Sequence, residues 1–459
     1  MNLARPSRSI FSIWALQTVL WVPGCAPPDT GGEPSPSPGI TNVVLILVDD
    51  MGLDDLGCFG SSAGLTPSID SLARDGVAFD RAYVTASICS PSRAGLLTGR
   101  YQQRFGHENN TGPLARQLEL DIGLPRSERL ASERLQDLGH VTGLIGKWHL
   151  GASDRFHPLD RGFDEFFGHL SGGHTYIDWV DPKNGPIFRG RTSVIEGEYL
   201  TDAFTTEAVD FIDRHHQAPF FLLLSYNALH EPFEAPERYL DRHAGVPDEE
   251  ERVYAAMISA LDDGVGRVLA ALERHGLEDD TLVCFLSDNG PRRGKAGQGT
   301  GHLRGGKLSL FEGGLRVPLL VRCPGLFPAG SRVASPVSSL DLVPTFLEAL
   351  GAPGATADPL DGRSLVPLAT RPAGGPDIAA RTLFWRQGGK AAASDGVAKL
   401  LRRRDGSFEA YDLRVDPGET RPLALDGERF VRLRQALGSW EEGLAAPAWE
   451  WSEGRAGGR

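Results

Sequence analysis

A cysteine precedes a short helical stretch in the sequence Cys-Ser-Pro-Ser-Arg, residues 89–93. Pro91 suits the first turn of a helix, because its φ is fixed and its missing N–H costs nothing there. Gly99 is typical of the residue that ends such a helix. The pattern predicts that Cys89 lies just before a helix N-terminus, where free N–H groups and the helix dipole favour an anion. The alternative interpretation is a small apolar cysteine buried in the core.

Two acidic pairs directly follow two apolar runs of the chain. Asp49 and Asp50 end the first run, and Asp288 and Asn289 end a later one. In open parallel sheets a site lies beyond the carboxyl ends of the strands, so the two pairs can converge there. Three carboxylates and one amide offer only oxygen ligands, which suit Ca²⁺ or Mg²⁺ rather than zinc. Turn and cap chemistry is the alternative explanation for such pairs.

Two lysines and two histidines follow other apolar runs or lie in a glycine-rich loop. Lys147 and His149 belong to the stretch Gly-Lys-Trp-His-Leu-Gly, and on an extended segment they would point to one side. Lys307 follows two glycines, which let the backbone approach a ligand closely. His230 follows another apolar run. Taken alone, each of these residues is also compatible with an ordinary strand end or a solvated loop.

The apolar runs alternate with amphipathic helical stretches along most of the chain. Strands are predicted at 41–48, 141–145, 220–225, 282–287 and 317–321, and helices at 66–76, 126–138, 201–215 and 249–275. Continuous apolar runs are typical of strands buried on both faces. Their alternation with helices predicts an α/β fold with a mostly parallel central sheet flanked by helices, over residues 41–350. Shorter β-like runs and a terminal amphipathic helix predict a smaller α+β subdomain over 351–459.

Composition narrows the classes of partner. The 459 residues include 47 basic and 60 acidic side chains, which give a net charge of −13. No long basic run is present, and this argues against nucleic acid as a partner. An anionic substrate would then need a local basic pocket. Five cysteines are present. If Cys89 serves the site and Cys25 carries a lipid, as argued below, Cys58, Cys284 and Cys323 remain. These three allow at most one disulfide, whose pairing stays open.

The N-terminal residues are typical of an export signal. Two arginines precede an apolar run over 10–22, which is too short to span a membrane, so residues 1–25 are predicted to be a signal peptide. The run ends in Val-Pro-Gly-Cys, which resembles a bacterial lipoprotein box and would place a lipid anchor on Cys25. An ordinary secretory signal is the alternative. Residues 26–40 are rich in proline and glycine and predict a tether. We therefore expect an exported protein: a periplasmic or outer-membrane lipoprotein, or a secreted protein.

The stretch CSPSRAGLLTGR resembles the signature of the formylglycine-dependent sulfatases, a branch of the alkaline phosphatase superfamily. GKWHLG and YDLRVDPGETRPLA resemble two further motifs of that family, so the resemblance spans roughly residues 42–425. It implies an alkaline phosphatase-like fold with a catalytic domain at 41–350. It also implies that a formylglycine-generating enzyme reads Pro91 and Arg93 and oxidises Cys89 to an aldehyde, whose hydrate is the nucleophile.

The resemblance also implies a role for each candidate residue. One Ca²⁺ would be bound by Asp49, Asp50, Asp288, Asn289 and the modified Cys89. Lys147 and Lys307 would hold the sulfate group, and Arg93 would stabilise the nucleophile. His149 would take the proton of the nucleophile, and His230 would protonate the leaving oxygen.

The function expected from these residues is the hydrolysis of sulfate monoesters, with sulfated carbohydrates as substrates. One alternative is a phosphonate or phosphate-ester hydrolase on the same scaffold, and another is a sulfoglycan-binding lipoprotein without turnover. Candidates for the leaving-group side of the site are Arg292, Arg293, Arg304 and the segment 174–179, in which aromatic and polar residues alternate.

Overall fold

The structure is a computed structural model that describes residues 39–292, 301–354, 358–369 and 381–450. These residues all belong to one compact unit. The predicted signal peptide with Cys25, the tether up to residue 38, and Arg293 lie outside the described residues. No helix among the described residues is both long and apolar enough to cross a membrane.

The strands and helices are numbered in chain order. The strands are β1 (Asn42–Val48), β2 (Val77–Phe79), β3 (Ala82–Tyr83), β4 (Val141–Lys147), β5 (Glu165–His169), β6 (Val180–Asp181), β7 (Gly185–Arg189), β8 (Thr192–Val194), β9 (Phe220–Ser225), β10 (Thr281–Ser287), β11 (Arg316–Val317), β12 (Leu319–Arg322), β13 (Ser331–Val333), β14 (Val337–Ser338), β15 (Leu383–Gln387), β16 (Lys390–Ser394), β17 (Ala398–Arg402) and β18 (Phe408–Asp412). The α-helices are α1 (Pro67–Arg74), α2 (Cys89–Thr98), α3 (Leu114–Leu120), α4 (Ala131–Asp137), α5 (Leu200–His215), α6 (Glu237–Leu240), α7 (Glu249–Arg274), α8 (Glu312–Leu315), α9 (Leu342–Ala349), α10 (Val366–Ala369) and α11 (Glu428–Glu442). Short 3-10 helices lie at Leu53–Asp55, Gly57–Phe59, Gln102–Phe105, Asp154–Phe156, Pro158–Asp160, Asp241–His243 and Ser339–Asp341.

A large mixed sheet forms the centre of the molecule. Its strand order is β13-β2-β12-β10-β1-β9-β4-β5-β7-β6, and β8 pairs with β7. The middle of this sheet, from β10 through β1, β9 and β4 to β5, is parallel throughout. Antiparallel strands continue it on both sides, β12 next to β10 and β7 next to β5. The predicted α/β fold with a mostly parallel central sheet is confirmed.

Strand β1 shows why its sequence is a continuous apolar run. All seven of its residues are buried. Val43, Leu45 and Leu47 belong to one apolar core, whereas the alternate residues belong to a second core on the opposite face of the sheet. Helices α2, α4 and α9 contribute to the first core, and α1, α5 and α7 to the second. A strand that faces two cores has no solvent side and needs no polar alternation.

The strand register aligns the polar residues that end the parallel strands. Val48 pairs with Ser287 of β10, and Leu47 pairs with Ser225 of β9. Ser225 in turn pairs with Gly146 of β4. The residues that follow these positions therefore emerge together at the carboxyl edge of the sheet, which is where open α/β sheets bind their ligands.

Two predicted elements differ from the structure. The single strand expected at 317–321 is divided between β11 and β12, which belong to different sheets. Pro318 lies between them, and proline cannot donate a hydrogen bond to a strand ladder. The helix expected to begin at residue 126 begins at Ala131, where Glu133 accepts a hydrogen bond from the Leu130 N–H.

A small antiparallel sheet, in the order β15-β16-β17-β18, follows the central sheet, and α11 packs against it. The sequence did not indicate β16, because its residues Lys-Ala-Ala-Ala-Ser have low strand propensity. Ala391 and Ala393 contact the core beneath α11, and Ala392 contacts a separate cluster around Trp385. The presence of this sheet agrees with the predicted C-terminal elements, whereas the domain boundary at residues 350 and 351 stays a prediction.

A buried lysine connects the small sheet to the main one. Lys399 of β17 is fully buried, and its Nζ lies 3.0 Å from Glu312 and 3.1 Å from Glu419. The Tyr83 hydroxyl donates to the second oxygen of Glu312 at 2.8 Å. Burial raises the pKa of Glu419 to about 7, although the Lys399 charge opposes this shift. One ammonium group thus balances two carboxylates that have no access to water.

We expect Lys399→Met to lower the free energy of unfolding by about 3–5 kcal/mol, the usual cost of leaving buried charges without a partner. The loss should grow between pH 6 and 8, because the folded variant must then keep a proton on Glu419, whose pKa exceeds its unfolded value. Urea unfolding at several pH values measures both effects. The matched control is Lys390→Met in the same sheet, where the ammonium group donates to the Leu308 carbonyl at 3.1 Å and pairs with no carboxylate among the described residues. Equal losses for the two variants would contradict the prediction.

Candidate active site

A cavity of about 1040 Å³ opens at the carboxyl edge of the central sheet. Cys89, His149 and His230 are among the residues that line it. Other lining residues come from the surrounding loops, from β6 and from the start of α7: Asn110, Gly112, Pro113, Gly172, Gly173, Thr175, Asp181, Lys183, Asn184, Glu231, Pro232, Phe233, Asp248, Glu249, Glu250 and Val253. The cavity therefore joins three of the predicted catalytic residues to a wide mouth that carries both polar and apolar residues.

Cys89 lies at the bottom of this cavity. Helix α2 begins at Cys89 itself rather than just after it, with Ile88 at the N-cap and Pro91 in the first turn. Gly99 ends the helix with φ 67°, as expected for a left-handed C-cap. The thiol is 1% exposed, but it belongs to neither apolar core and its Sγ lies 3.5 Å from Oδ1 of Asp49. Burial, and then the Asp49 charge, raise the pKa of the thiol to about 12.

Three carboxylates converge next to Cys89. One ligand atom from each of Asp49, Asp50, Asp288 and Cys89 lies within 4.8 Å of the other three. Asp50 has a φ of 62°, so the strand ends here and the two neighbouring aspartates can face one point. The Nδ2 of Asn289 donates to Asp50 at 2.5 Å, while its Oδ1 is buried without a partner among the described residues.

Each carboxylate is paired with its own cation. Lys147 donates to Asp49, Lys307 donates to Asp50 at 2.8 Å, and the Arg93 Nε donates to Asp288 at 2.8 Å. Arg93 also donates to the Ser225 hydroxyl at 2.6 Å and to the Lys147 carbonyl at 3.1 Å. Three negative and three positive side chains thus neutralise one another in a site that water hardly reaches.

The pKa shifts of the two aspartates that face Cys89 have opposite directions. Burial, and then the charge of Asp49, raise the pKa of Asp288 to about 6, against the opposing charge of Arg93. For Asp49, burial alone would raise the pKa, but the charge of Lys147 and the other cations hold it well below its ordinary value. Asp49 is therefore the more firmly ionised carboxylate of the site.

The donor set fits a hard divalent cation. The three carboxylates that converge here offer only oxygen, and the buried Asn289 Oδ1 still lacks a donor within the described chain. Ca²⁺ and Mg²⁺ bind such oxygen sets, whereas zinc prefers nitrogen and sulfur. A bound ion would add two positive charges to a neutral cluster and would make the site attractive to an anion.

Both His149 and Lys147 lie in the site, but for a reason that differs from the prediction. Strand β4 ends at Lys147, and His149 has a φ of 61°, so the segment is not extended. The His149 ring lies beneath Gly172, where an added Cβ would come within 2.6 Å of Nε2. Burial, and then the charge of Lys147, lower the pKa of His149 well below its ordinary value. Its Nδ1 is buried without a partner among the described residues.

His230 reaches the same point from the loop after β9. One of its ring nitrogens lies within 4.8 Å of ligand atoms of both Asp49 and Cys89. Its Nδ1 donates to the Glu231 carbonyl at 2.7 Å, which leaves Nε2 without a proton in the neutral ring. Burial, and then the charge of Lys307, lower the pKa of His230 to about 4.

The predictions for the leaving-group side are only partly consistent with the structure. Arg292 forms an ion pair with Glu231 at the cavity mouth. Arg304 does not line the cavity; it donates to the Glu419 carbonyl at 2.8 Å and so fastens the small sheet. In the segment 174–179 only Thr175 lines the cavity, since Tyr176 and Trp179 are buried in the core. Their rings pack inside the core and are not available to stack on a sugar.

Several residues of the site were not indicated by the sequence. Ser225 accepts from Arg93 and donates to the Lys147 carbonyl at 2.7 Å. Its only signal was its position at the end of an apolar strand. Ser90 and Asn110 also contribute, and neither had a signal beyond the motif or loop that contains it.

The described cysteines, which include Cys58, Cys284 and Cys323, are all free.

Comparison with known proteins is consistent with this geometry. A profile of the sulfatase family matches residues 41–352. The chain is 36% identical over 357 residues to N-acetylgalactosamine-6-sulfatase of Rattus norvegicus, covering 73% of this chain and 66% of the rat enzyme. It is 34% identical over 468 residues to the enzyme of the same name from Sus scrofa, covering 91% and 87%. The matched region thus spans slightly less than two thirds of the rat protein.

Solved structures show the same fold. Ps i-CgsB in complex with k-i-k-neocarrahexaose has a TM-score of 0.82 and 33% identity, covering 89% of this chain and 94% of that one. The phosphonate monoester hydrolase of Agrobacterium radiobacter has a TM-score of 0.63 at 22% identity, which shows a shared fold alone. The fold and the site thus define a protein of the alkaline phosphatase superfamily, and the predicted resemblance is confirmed. Within that superfamily, the chain belongs to the sulfatase family.

Proposed function

We propose that this protein hydrolyses sulfate monoesters of carbohydrates with a formylglycine made from Cys89 and with one Ca²⁺. The observation that carries the proposal is the position of Cys89, at the first turn of α2, within 4.8 Å of three converging carboxylates and at the bottom of a large cavity. Sulfatase family membership supports the same reaction. A formylglycine-generating enzyme is the partner needed for maturation.

Sulfate is favoured over phosphate by the supply of ligands. Two-metal phosphatase sites hold two ions roughly 3.5–4 Å apart and therefore need two sets of acidic ligands. Among the described residues, one such set surrounds Cys89, and the positions next to it hold Lys147, Lys307, His149 and His230. Cations and neutral bases suit the three weakly basic oxygens of a sulfate monoester, which has one negative charge.

The side chains of this site can each take a distinct part in the reaction. When present, a hydrated aldehyde at residue 89 supplies one hydroxyl that attacks sulfur and a second whose deprotonation expels sulfate, and Ca²⁺ supplies positive charge beside them. Lys147 and Lys307 can hold the sulfate oxygens as point charges. Arg93 keeps Asp288 ionised and in place through their 2.8 Å bond. His149, a neutral base whose Nδ1 has no partner among the described residues, can take the proton of the second hydroxyl.

His230 is the candidate for protonation of the leaving oxygen. Its ring is neutral in the structure, because burial and Lys307 lower its pKa to about 4. An anionic sulfate ester bound beside it would oppose both effects and raise that pKa, so proton uptake would accompany binding. Nε2 is the nitrogen that would carry this proton, since Nδ1 already donates to Glu231.

Carbohydrate substrates and an exported location complete the proposal. The named relatives include N-acetylgalactosamine-6-sulfatases and Ps i-CgsB, which was solved in complex with k-i-k-neocarrahexaose. The wide mouth of the cavity, with its mixture of polar and apolar residues, suits a carbohydrate leaving group, which has hydroxyl groups and apolar C–H faces. The predicted signal peptide and the predicted lipid anchor at Cys25 favour a periplasmic or outer-membrane lipoprotein, or a secreted enzyme, that meets sulfated glycans outside the cytoplasm.

The test compares matched substrates with enzyme whose Cys89 conversion is confirmed by mass spectrometry. We expect kcat/KM for 4-nitrophenyl sulfate to exceed that for 4-nitrophenyl phosphate and for a phenylphosphonate ester. A preference for either phosphorus substrate would favour the phosphate or phosphonate alternative. Turnover of aryl sulfate but of no sulfated saccharide would overturn the carbohydrate assignment. Saccharide binding without turnover by fully converted enzyme would favour a binding lipoprotein.

We expect His230→Ala to reduce the turnover of sugar sulfates about 10²–10⁴-fold, the usual contribution of a general acid. The loss for 4-nitrophenyl sulfate should be much smaller, because 4-nitrophenolate leaves as a stable anion without a proton. Comparison of kcat for the two substrates in wild type and variant measures this difference. Equal losses for both leaving groups would show that His230 does not protonate the leaving oxygen.

A further inference from the structure

After α11 the chain returns to a loop next to the active site. Residues 445–450, here called the C-terminal strap, follow α11 and run along the loop that connects the 3-10 helix at 102–105 to α3. Ala445 donates its N–H to Gln103 at 3.1 Å, and Ala448 donates to Gly106 at 2.8 Å. At Gly106 an added Cβ would come within 2.6 Å of the Ala446 carbonyl, so the two backbones are in close contact.

Trp449 is the anchor of the strap. Its Nε1–H donates to the Asn110 carbonyl at 3.1 Å, and its own carbonyl accepts from the Asn109 amide at 2.7 Å. Its ring meets that of His107 edge to face, with ring centroids 4.7 Å apart. His107 is completely buried. Trp449 therefore separates His107 from solvent and fixes the loop at 107–110.

His107 and Ser90 connect this loop to the catalytic side chains. The Ser90 hydroxyl lies 2.7 Å from the His149 carbonyl and 2.7 Å from Nε2 of His107. A hydroxyl has one proton, which Ser90 donates to the carbonyl, so the second bond must be donated by His107 Nε2–H. The Ser90 N–H also donates to Oδ1 of Asn110 at 3.1 Å. Ser90 adjoins Cys89, so these bonds fix the first turn of α2 as well.

The backbone of His149 needs such support. Its φ of 61° is uncommon for a residue other than glycine, and conformations of this kind persist only where the surrounding structure holds them. Two bonds hold it here: its N–H donates to Leu170 at 3.3 Å, and its carbonyl accepts from Ser90 at 2.7 Å. The shorter of the two bonds depends on Ser90, and therefore on His107 and Trp449.

We propose that the C-terminal strap positions the active site: Trp449 shields His107, and His107 holds Ser90 so that Ser90 fixes the backbone of His149 and the start of α2. Trp449 and His107 are positioning residues, because neither lines the cavity. The proposal rests on the proposed function only for its kinetic consequences. If Trp449 is removed, water reaches His107 and competes for the bond to Ser90, and the His149 ring loses its fixed orientation.

The first test is Trp449→Ala in the full-length chain. We expect kcat to fall about 10–100-fold, as for misplacement of a catalytic group by about 1 Å, while KM changes less than threefold. The matched control is Trp440→Ala, which removes a similarly half-buried tryptophan of α11 that stacks on Phe384 at 5.2 Å. The control should lower the melting temperature and leave kcat unchanged. Equal losses of kcat in the two variants, or no loss in Trp449→Ala, would overturn the proposal.

The second test separates positioning from packing. His107→Leu keeps an apolar side chain beneath Trp449 but removes the donor to Ser90, and we expect a loss of kcat similar to that of Trp449→Ala. His107→Gln restores an N–H donor and should recover at least half of that loss on a logarithmic scale. Wild-type kcat in His107→Leu, or a kcat in His107→Gln no higher than in His107→Leu, would contradict the proposal that His107 acts through its bond to Ser90. Mass spectrometry of residue 89 must show equal conversion in all variants.

A third measurement does not depend on turnover. Hydrogen exchange of the amides in 88–93 and 147–151 should be faster in Trp449→Ala than in wild type and unchanged in Trp440→Ala. Faster exchange in a protein without sulfatase activity would support the strap and contradict the proposed function. Unchanged exchange with unchanged kcat would contradict the strap alone, so the two failures are distinguishable.

Discussion

We expect the Cys89→Ala protein to fold normally and to hydrolyse no sulfate ester. Removal of an enzymatic nucleophile costs roughly 10⁶-fold in kcat, because the remaining groups can only bind and polarise the substrate. The fold should tolerate the change, since Cys89 lies against Asp49 and outside both apolar cores. The substitution removes one long contact to Asp49, at 3.5 Å, and Asp49 keeps its ion pair with Lys147. Steady-state assays and thermal unfolding of the same preparation measure both quantities.

The chain offers a matched control for this experiment. Cys284 of β10 is fully buried and belongs to the apolar core on one face of the sheet. Cys284→Ala should lower the free energy of unfolding by about 1 kcal/mol, as for a typical core truncation, and leave kcat unchanged. If Cys89→Ala instead loses stability while turnover per folded molecule persists, Cys89 is a core residue and the assignment of the nucleophile is wrong.

We expect removal of Ca²⁺ to abolish turnover, and its return to restore both turnover and stability. Three carboxylates and the Asn289 oxygen, which has no donor among the described residues, form one oxygen site, so calorimetric titration should give one ion per chain. At 100 times the dissociation constant the ion should stabilise the folded state by about 2.7 kcal/mol. Full turnover by protein that is verified to be free of metal would contradict the site.

The same site predicts how binding depends on pH. Burial and the charge of Asp49 raise the pKa of Asp288 to about 6 in the ion-free protein. A proton and Ca²⁺ then compete for this carboxylate, so affinity should be constant above pH 7 and fall about tenfold for each unit below pH 6. Asp288→Asn should weaken Ca²⁺ binding at pH 7.5 and abolish most of the decrease in Ca²⁺ affinity below pH 6.

A second buried aspartate serves as the control for this series. Asp262 is 2% exposed and accepts the N–H groups of Ser68 and Ile69 at the start of α1, away from the cavity. Asp262→Asn should destabilise the fold and leave the stoichiometry, affinity and pH dependence of Ca²⁺ binding unchanged. A similar loss of Ca²⁺ affinity in both variants would show that the effect of Asp288 is indirect.

The sequence by itself determined the class of fold and most of the residues at the site. Apolar runs with no polar alternation, such as β1, could only be strands covered on both faces, and helices between them require a parallel arrangement. Since parallel strands end at one edge, Asp49 and Asp288 had to come near each other, and the register of Val48 with Ser287 fulfils this. These features depend on local period and chain connectivity, which a sequence records directly.

The sequence misled where a side chain had two possible roles. Arg304 was a candidate for the substrate side, but it is bound to Glu419, 115 residues away, in the segment that follows β18. Tyr176 and Trp179 were candidates for a sugar platform, but both are buried in the core. An arginine or an aromatic ring suits either role, and packing partners distant in the chain decide which one it takes.

Tertiary structure alone decided how the charges of the site are paired. Lys307 lies 257 residues from Asp50, and Arg93 lies 195 residues from Asp288, so no local pattern could assign one cation to each carboxylate. The left-handed backbone of His149 and its contact with Ser90 likewise depend on α2 and β4 meeting in space. The hydrogen bond from Trp449 to the Asn110 carbonyl joins residues 339 positions apart, so it too has no local signal. Such contacts form only because burial of the two cores brings the strand ends, α2 and the strap to one place, and this cooperative packing has no signature in any single stretch of sequence.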